Sequence, residues 1–190
     1  MTITIEVFGK YGCFSRAEMK TERTTYDVIT PSAARGILES IFWHPGLRWV
    51  IDKIYVRAPI EFANIRRNEV SQKLLASQAL SAAKNGTAIY LATPERIQQR
   101  ATLMLKNVRY VIKAHFEMTK NAAPGDNPGK FQDIIKRRVE KGQFYSMPYF
   151  GAREFPANFA PCIEIPPCPA TLLGEKDLGY MLYDIDYSDP

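Results

Sequence analysis

The chain has 190 residues, 25 Lys and Arg against 20 Asp and Glu, and a hydrophobic share of 46%. That is the profile of a folded, mildly basic protein, large enough to bury roughly 70% of its unfolded surface without disulfides or a structural metal, and it excludes intrinsic disorder and collagen-like repeats. The longest run without a charged side chain, Gly142 to Ala152, is eleven residues, short of the roughly 18 a membrane-spanning helix requires. Met1-Thr-Ile-Thr-Ile-Glu6 also lacks the basic start and apolar run of a signal peptide, so a cytoplasmic protein with no membrane partner is expected.

The first element, Thr2 to Gly9, sets Ile3, Ile5 and Val7 against Thr4, Glu6 and Phe8 and predicts a strand. After a charged loop with Arg16, Glu18, Lys20, Glu22 and Arg23, the pair Thr30-Pro31 supplies a cap and a first-turn proline. Ala34, Ile37, Leu38 and Ile41 then recur at helical spacing until Pro45-Gly46. Arg48 to Phe62 is β-branched and aromatic, interrupted only by Pro59, and predicts a strand that bends or reaches an edge there, with Arg66-Arg67 at its end. Glu69 to Lys84 is rich in Ala, Leu, Gln and Ser and thin in apolar face, which predicts a peripheral helix-prone insertion.

Arg96 and Arg100 are expected on a loop before the longest strand, Thr102 to Met118, where Val108, Tyr110, Ile112, Ala114, Phe116 and Met118 alternate with Asn107, Arg109, Val111, Lys113, His115 and Glu117. Asn127-Pro128 opens a second helix with Phe131, Ile134, Ile135 and Val139 inward and Gly142 as its stop. A strand near Tyr149 to Arg153 would complete a β-α-β-β-α-β order. The fold class is therefore α+β, ferredoxin-like, with helices on one face of an antiparallel sheet and the other face free. Residues 1–155 are expected to form this domain and 156–190 a small C-terminal antiparallel β appendage ending in a strand over Gly179 to Tyr187.

Charge is unevenly placed. Residues 1–163 carry 24 basic and 14 acidic side chains, and 164–190 carry one and six. A field of that sign suits a polyphosphate, although a solvated basic surface gives the same sum. The odd set Cys13, Cys162 and Cys168, with two histidines in all, predicts reduced thiols, no metal site and no cofactor.

Lys113 and His115, two residues apart on one strand, leave the same face with Cα atoms roughly 6.5 to 7 Å apart, and Arg109 lies further along it. A histidine that moves protons near neutral pH beside a lysine that stabilises phosphorane charge suits metal-free RNA cleavage by the ribose 2′-hydroxyl. The same face would equally hold a phosphate backbone without reacting. Arg16, Arg23, Arg66, Arg67 and Arg109 are candidate phosphate contacts, with Lys20, Arg96 and Arg100 as further ones or as solvated charges. Tyr11, Phe14, Tyr26, Tyr145, Tyr149 and Phe150 are available for base stacking or for the core. His44, just past the first helix, reads as a C-terminal cap or as a second proton carrier.

The ordered segments Phe8-Gly-Lys-Tyr-Gly-Cys-Phe14, Pro31-Ser-Ala-Ala-Arg-Gly-Ile-Leu-Glu-Ser-Ile-Phe-Trp-His-Pro45, Ile65-Arg-Arg-Asn-Glu-Val70, Val111-Ile-Lys-Ala-His-Phe-Glu117, Gly151-Ala-Arg-Glu-Phe155 and Leu178-Gly-Tyr-Met-Leu-Tyr183 together resemble the CRISPR-associated Cas5d family of type I-C systems, in the repeat-associated superfamily. The resemblance implies a ferredoxin-like RNA-recognition domain with a C-terminal β-sheet. It implies an endoribonuclease that cuts CRISPR repeat RNA beside its hairpin without metal and stays on the 5′ handle of the crRNA. Its partners would be the backbone and large subunits of the type I-C interference complex, with non-specific DNA binding as a further expectation.

It makes Lys113 and His115 part of the catalytic centre. Where other members present a tyrosine before the tryptophan, this chain has Phe42-Trp43; phenylalanine cannot move a proton, so His44 or Tyr26 is the substitute base, or Lys113 and His115 act alone. The family pattern also implies a short extension beyond Pro190, belonging to the β appendage. A handle-binding subunit without catalysis, and a metal-dependent nuclease acting on DNA, are the alternative functions. The second lacks a compact carboxylate cluster in the sequence.

Overall fold

In the computed structural model, which describes residues 2–19 and 22–184, a mixed α+β arrangement is built around one sheet. The spine is the long strand β5 (Ile97–Met118), and each of its edges carries two strands end to end. Along one edge run β1 (Thr2–Gly12), antiparallel from Thr2 opposite His115 to Gly12 opposite Leu105, and the short parallel β2 (Arg23–Thr24). Along the other run β3 (Leu47–Val56), antiparallel from Leu47 opposite Met118 to Val56 opposite Tyr110, and β4 (Phe62–Val70), paired with residues 97–105. β6 (Asn158–Pro161) closes the far side of β1, antiparallel.

Helix α1 (Pro31–Ile41) forms as its capping residues direct: the Thr30 hydroxyl accepts from the Ala33 N–H at 3.2 Å, and Pro31 takes the first turn, where its missing N–H costs nothing. Helix α3 (Pro128–Glu140) repeats the device, with the Asn127 side chain accepting from Lys130 N–H at 2.9 Å. Their inner stripes, Ala34, Ile37, Leu38 and Ile41 on one and Phe131, Ile135 and Val139 on the other, join Ile5, Val7, Tyr110, Ile112, Ala114 and Phe116 in one core. Fully burying the Val, Leu, Ile and Phe side chains among them stabilises by about 1.5–3 kcal/mol each. The opposite face of the sheet carries neither of these two helices.

Several elements fall differently from the expectation. The second predicted strand is two: β3 stops at Val56, and the chain turns through Pro59 before β4 begins at Phe62, so Arg66 and Arg67 stand in mid-strand. The cause is non-local, because β5 begins at Ile97, five residues earlier than expected, and offers the extra edge. Arg100 is therefore a strand residue, and Arg96 ends a short 3₁₀ turn, Thr93–Arg96. The predicted insertion helix shortens to α2 (Ala76–Asn85), with no buried residue.

The strand expected over Tyr149 to Arg153 is absent. That segment is a tight loop bridged only at Tyr149 and Pro156. Gly151 has φ of 78°, and a Cβ there would lie 2.0 Å from the Cys13 carbonyl oxygen. The backbone needs that close approach because Cys13 N–H donates to Phe150 O at 3.0 Å. The fourth strand of the expected order is instead β6, beyond the anticipated boundary at 155. Residues 162–184 form no strand, so the expected antiparallel β appendage is not built there. Lys20 and the end of the expected last strand lie outside the described residues. All three cysteines are free, and burial pushes the Cys13 thiol up. Among the described residues, no helix is long and apolar enough to cross a membrane.

Candidate active site and nucleic-acid face

The face of the sheet opposite α1 and α3 is polar because of strand alternation. With Tyr110, Ile112, Ala114 and Phe116 turned into the core, Arg109, Lys113, His115 and Glu117 must point the other way. Directly opposed residues of antiparallel neighbours share a face, so Thr2, Thr4, Glu6 and Phe8 of β1 and Arg48, Val50, Lys53 and Tyr55 of β3 belong to the same surface. Val111 is the exception to the expected polar row, being fully buried.

At the centre stands His115, about one third exposed, with its Nδ1 2.6 Å from the Asp52 Oδ1. An ionised carboxylate only accepts, so the proton lies on Nδ1 and the Nε2 lone pair is left for another partner. On one side Arg48 donates to Glu117 at 2.6 Å, and this bond chiefly holds the Glu117 carboxyl below its ordinary range, with a smaller contribution from His115. On the other side stands Lys113, which forms no ion pair among the described residues. Opposite it in the ladder is Lys53, whose ammonium rests 5.0 Å from the Tyr55 ring. Further along, Arg109 lies 3.4 Å from Glu6 and over the Phe8 ring at 5.4 Å. A shallow groove of about 490 Å³ follows, lined by Phe8, Lys10, Arg57, Asn107, Arg109 and Asn158. The face thus offers a proton carrier, two ammonium groups and a basic track on one surface, the groups that hold and cleave a phosphodiester.

The remaining sequence candidates are elsewhere. His44 lies on the helical side: its Nδ1 accepts from Gly46 N–H at 3.0 Å, its Nε2 is 3.7 Å from Asp126, and its ring rests 4.9 Å from Phe131. Phe131 in turn packs on Phe116, whose neighbour His115 points through the opposite face. The expectation that the end of the first helix comes near Lys113 and His115 is therefore corrected: a sheet separates them. Phe42 is buried among Phe131 and Arg138, on the same side as His44. Tyr26 is buried too, its hydroxyl accepting from Leu182 N–H at 3.3 Å.

The arginines divide. Arg16 pairs with Asp27 at 3.2 Å and stacks on Tyr26. Arg23 and Arg67 both bind Glu154 and Glu69, and Arg67 also donates to the Thr102 hydroxyl at 3.2 Å. These bonds tie the 149–157 loop to β4. Arg66, on the other face of β4, is exposed and makes no ion pair among the described residues. Of the aromatic candidates, Phe14 and Phe150 are buried in the core, whereas Tyr145 is exposed.

Sequence reasoning missed Asp52, Lys53 and the groove residues Lys10 and Arg57. The placement of Asp52 and Lys53 depends on an irregularity of the β3 ladder between Ile51 and Lys53 that no glycine or proline announces. Among the described residues, no group of three or more His, Cys, Asp or Glu side chains is arranged to hold a metal ion.

The sequence pattern of a family described as CRISPR-associated protein (Cas_Cas5) matches residues 2–190. The chain is 48% identical to the CRISPR pre-crRNA endoribonuclease Cas5d of Mannheimia succiniciproducens, with 97% of this chain and 85% of that protein covered. It is 40% identical to the protein of the same name from Thermus thermophilus, with 99% and 75% covered. A solved structure described as a CRISPR-associated protein shares the fold with a TM-score of 0.59 at 19% identity, covering 85% of this chain and 66% of its own length.

Proposed function

The chain belongs to the CRISPR-associated Cas5d family, and on that premise we propose that it is the endoribonuclease that cuts CRISPR repeat RNA beside its hairpin, without metal, at the face built by His115 and Lys113. The observation that carries this reading is the pair itself: a histidine with one ring nitrogen engaged by a carboxylate and the other open, beside a lysine that has no ion pair among the described residues, on the polar face of the sheet opposite α1 and α3. The 2′-oxygen attacks the adjacent phosphorus as His115 Nε2 takes its proton. Lys113 stabilises charge on the phosphorane, and the P–O5′ bond breaks as His115 returns the proton to the 5′-oxygen. The products are a 2′,3′-cyclic phosphate and a 5′-hydroxyl, with no water consumed.

The order β6-β1-β5-β3, antiparallel throughout with α1 and α3 on one face, supports a ferredoxin-like reading of the fold. Arg66, Arg109 and the groove at Lys10 and Arg57 are the phosphate track of the bound strand in this proposal. Retention on the 5′ handle and assembly with the backbone and large subunits of the type I-C interference complex belong to the same reading. Large exposed side chains on and beside α2, Leu75, Leu80 and Tyr90, support a subunit contact there.

Incubation of the protein with repeat RNA in EDTA tests the proposal. Cutting next to the hairpin supports it. A shifted but intact RNA would make the protein a handle-binding subunit alone, and activity only after added metal would make it a nuclease of another kind.

A further inference from the structure

We propose that a bulge in β3 supplies the second half of the catalytic centre, with Asp52 orienting His115 and Lys53 joining Lys113 as a two-ammonium clamp on the scissile phosphate. This rests on the RNA-cleaving reading above. Ile51 pairs with Ala114 and Lys53 with Lys113, so Asp52 and Lys53 both oppose one residue of β5. In a regular ladder Asp52 would stand opposite Lys113 as a neutralising partner, and Lys53 would turn into the core side. The extra residue changes both outcomes.

Asp52 instead reaches diagonally to His115 Nδ1 at 2.6 Å, while Lys53 comes out on the open face across from Lys113. Like charges directly opposite on neighbouring strands are destabilising. Among the described residues, neither ammonium has a carboxylate partner. The nearby acids are already engaged, Asp52 with His115, Glu117 with Arg48 and Glu6 with Arg109. An uncompensated lysine pair beside an oriented imidazole is the arrangement a phosphodiester anion completes, and it is lost if the ladder is made regular. Asp52 is a positioning residue: it fixes the ring plane and the Nδ1–H tautomer, leaving the Nε2 lone pair toward the ribose.

The test uses the full chain and two RNAs, the cleavable repeat and one with a single 2′-deoxy nucleotide at the cut. Lys53→Ala is expected to weaken binding of the uncleavable RNA and to make its log–log salt slope shallower by about 0.7, the loss of one phosphate contact on a single strand. Asp52→Asn keeps the shape but lets the side-chain amide donate to Nδ1. It is expected to bind the uncleavable RNA within about threefold of wild type and to cleave on the order of 10²-fold more slowly. The ¹⁵N spectrum of the free protein should show His115 as a single Nδ1–H tautomer in wild type and a mixture in Asp52→Asn. Asp52→Glu should restore part of both rate and tautomer.

An unchanged salt slope for Lys53→Ala would remove the clamp. An unchanged tautomer with a wild-type rate for Asp52→Asn would remove the positioning role. The slope and the spectrum are read without turnover, so they decide the bulge's role even if His115→Ala still cleaves, an outcome that would instead overturn the assignment of the catalytic centre.

Discussion

His44 and His115, the two histidines of the chain, lie on opposite faces of one sheet: the first rests 4.9 Å from Phe131 on the helical side, and the second reaches Asp52 at 2.6 Å on the open side. Their substitutions should therefore separate cleanly. His115→Ala is expected to lower single-turnover cleavage by about 10²- to 10⁴-fold, the usual value of a positioned proton carrier, with RNA affinity within about threefold. His44→Ala should cleave at the wild-type rate and lose roughly 1 kcal/mol of stability with its hydrogen bond to Gly46, a fall in melting temperature of about 2–4 °C. Single-turnover rates and thermal melts of the two variants check both statements.

Lys113→Ala should behave differently from either. In the proposed mechanism its ammonium binds phosphate in the ground state and stabilises the phosphorane in the transition state, so both affinity and rate should fall. Binding to the 2′-deoxy RNA and single-turnover cleavage, measured side by side, give the two losses separately. A loss confined to affinity would make Lys113 a backbone contact.

Arg66 and Arg67 are adjacent in sequence and lie on opposite faces of β4, Arg66 exposed and Arg67 paired with Glu69 and Glu154. Arg66→Ala is expected to make the salt slope of RNA binding shallower by roughly 0.7, while Arg67→Ala leaves the slope unchanged and lowers the melting temperature by loosening the loop that Glu154 holds. Binding isotherms across a salt series, with melts of the same variants, read this. Equal slope changes for both would place Arg67 in the interface.

Much of the core was legible in the sequence because it rests on local period and caps. Thr30-Pro31 and Asn127-Pro128 mark both core helices, and the alternation around Ile112 marks the spine and its two faces. What escaped depends on pairing between distant segments. β4 exists because β5 extends far enough to offer it an edge, and β6 replaces the expected strand because Gly151 must pass within contact of Cys13. The candidate site divides along the same line. Lys113 and His115 share a face by simple alternation, whereas Asp52 and Lys53 come to them only through a register shift set by the partner strand.

Acid should loosen the 149–157 loop. Partial burial acts to raise the Glu154 carboxyl, but its backbone and Arg67 hydrogen bonds and the charges of Arg67 and Arg23 outweigh that and hold it below its ordinary value. A depressed folded value contributes stability that is fully present above the unfolded value, about 4.3, and is lost as pH falls through the folded one. Melts of wild type and Glu154→Gln should therefore differ at pH 7 and draw together as pH falls below about 4.3 and through the lower folded value.

The most direct measurement of the central claim is cleavage in EDTA of a labelled repeat RNA carrying one 2′-deoxy nucleotide on the 5′ side of the cut, beside the unmodified RNA. Attack by the neighbouring 2′-hydroxyl under His115 and Lys113 predicts that the unmodified RNA is cut to a 2′,3′-cyclic phosphate and a 5′-hydroxyl, while the 2′-deoxy RNA binds and stays whole. Cutting of the 2′-deoxy RNA at a comparable rate would contradict the account, since the nucleophile would then be water and not the ribose.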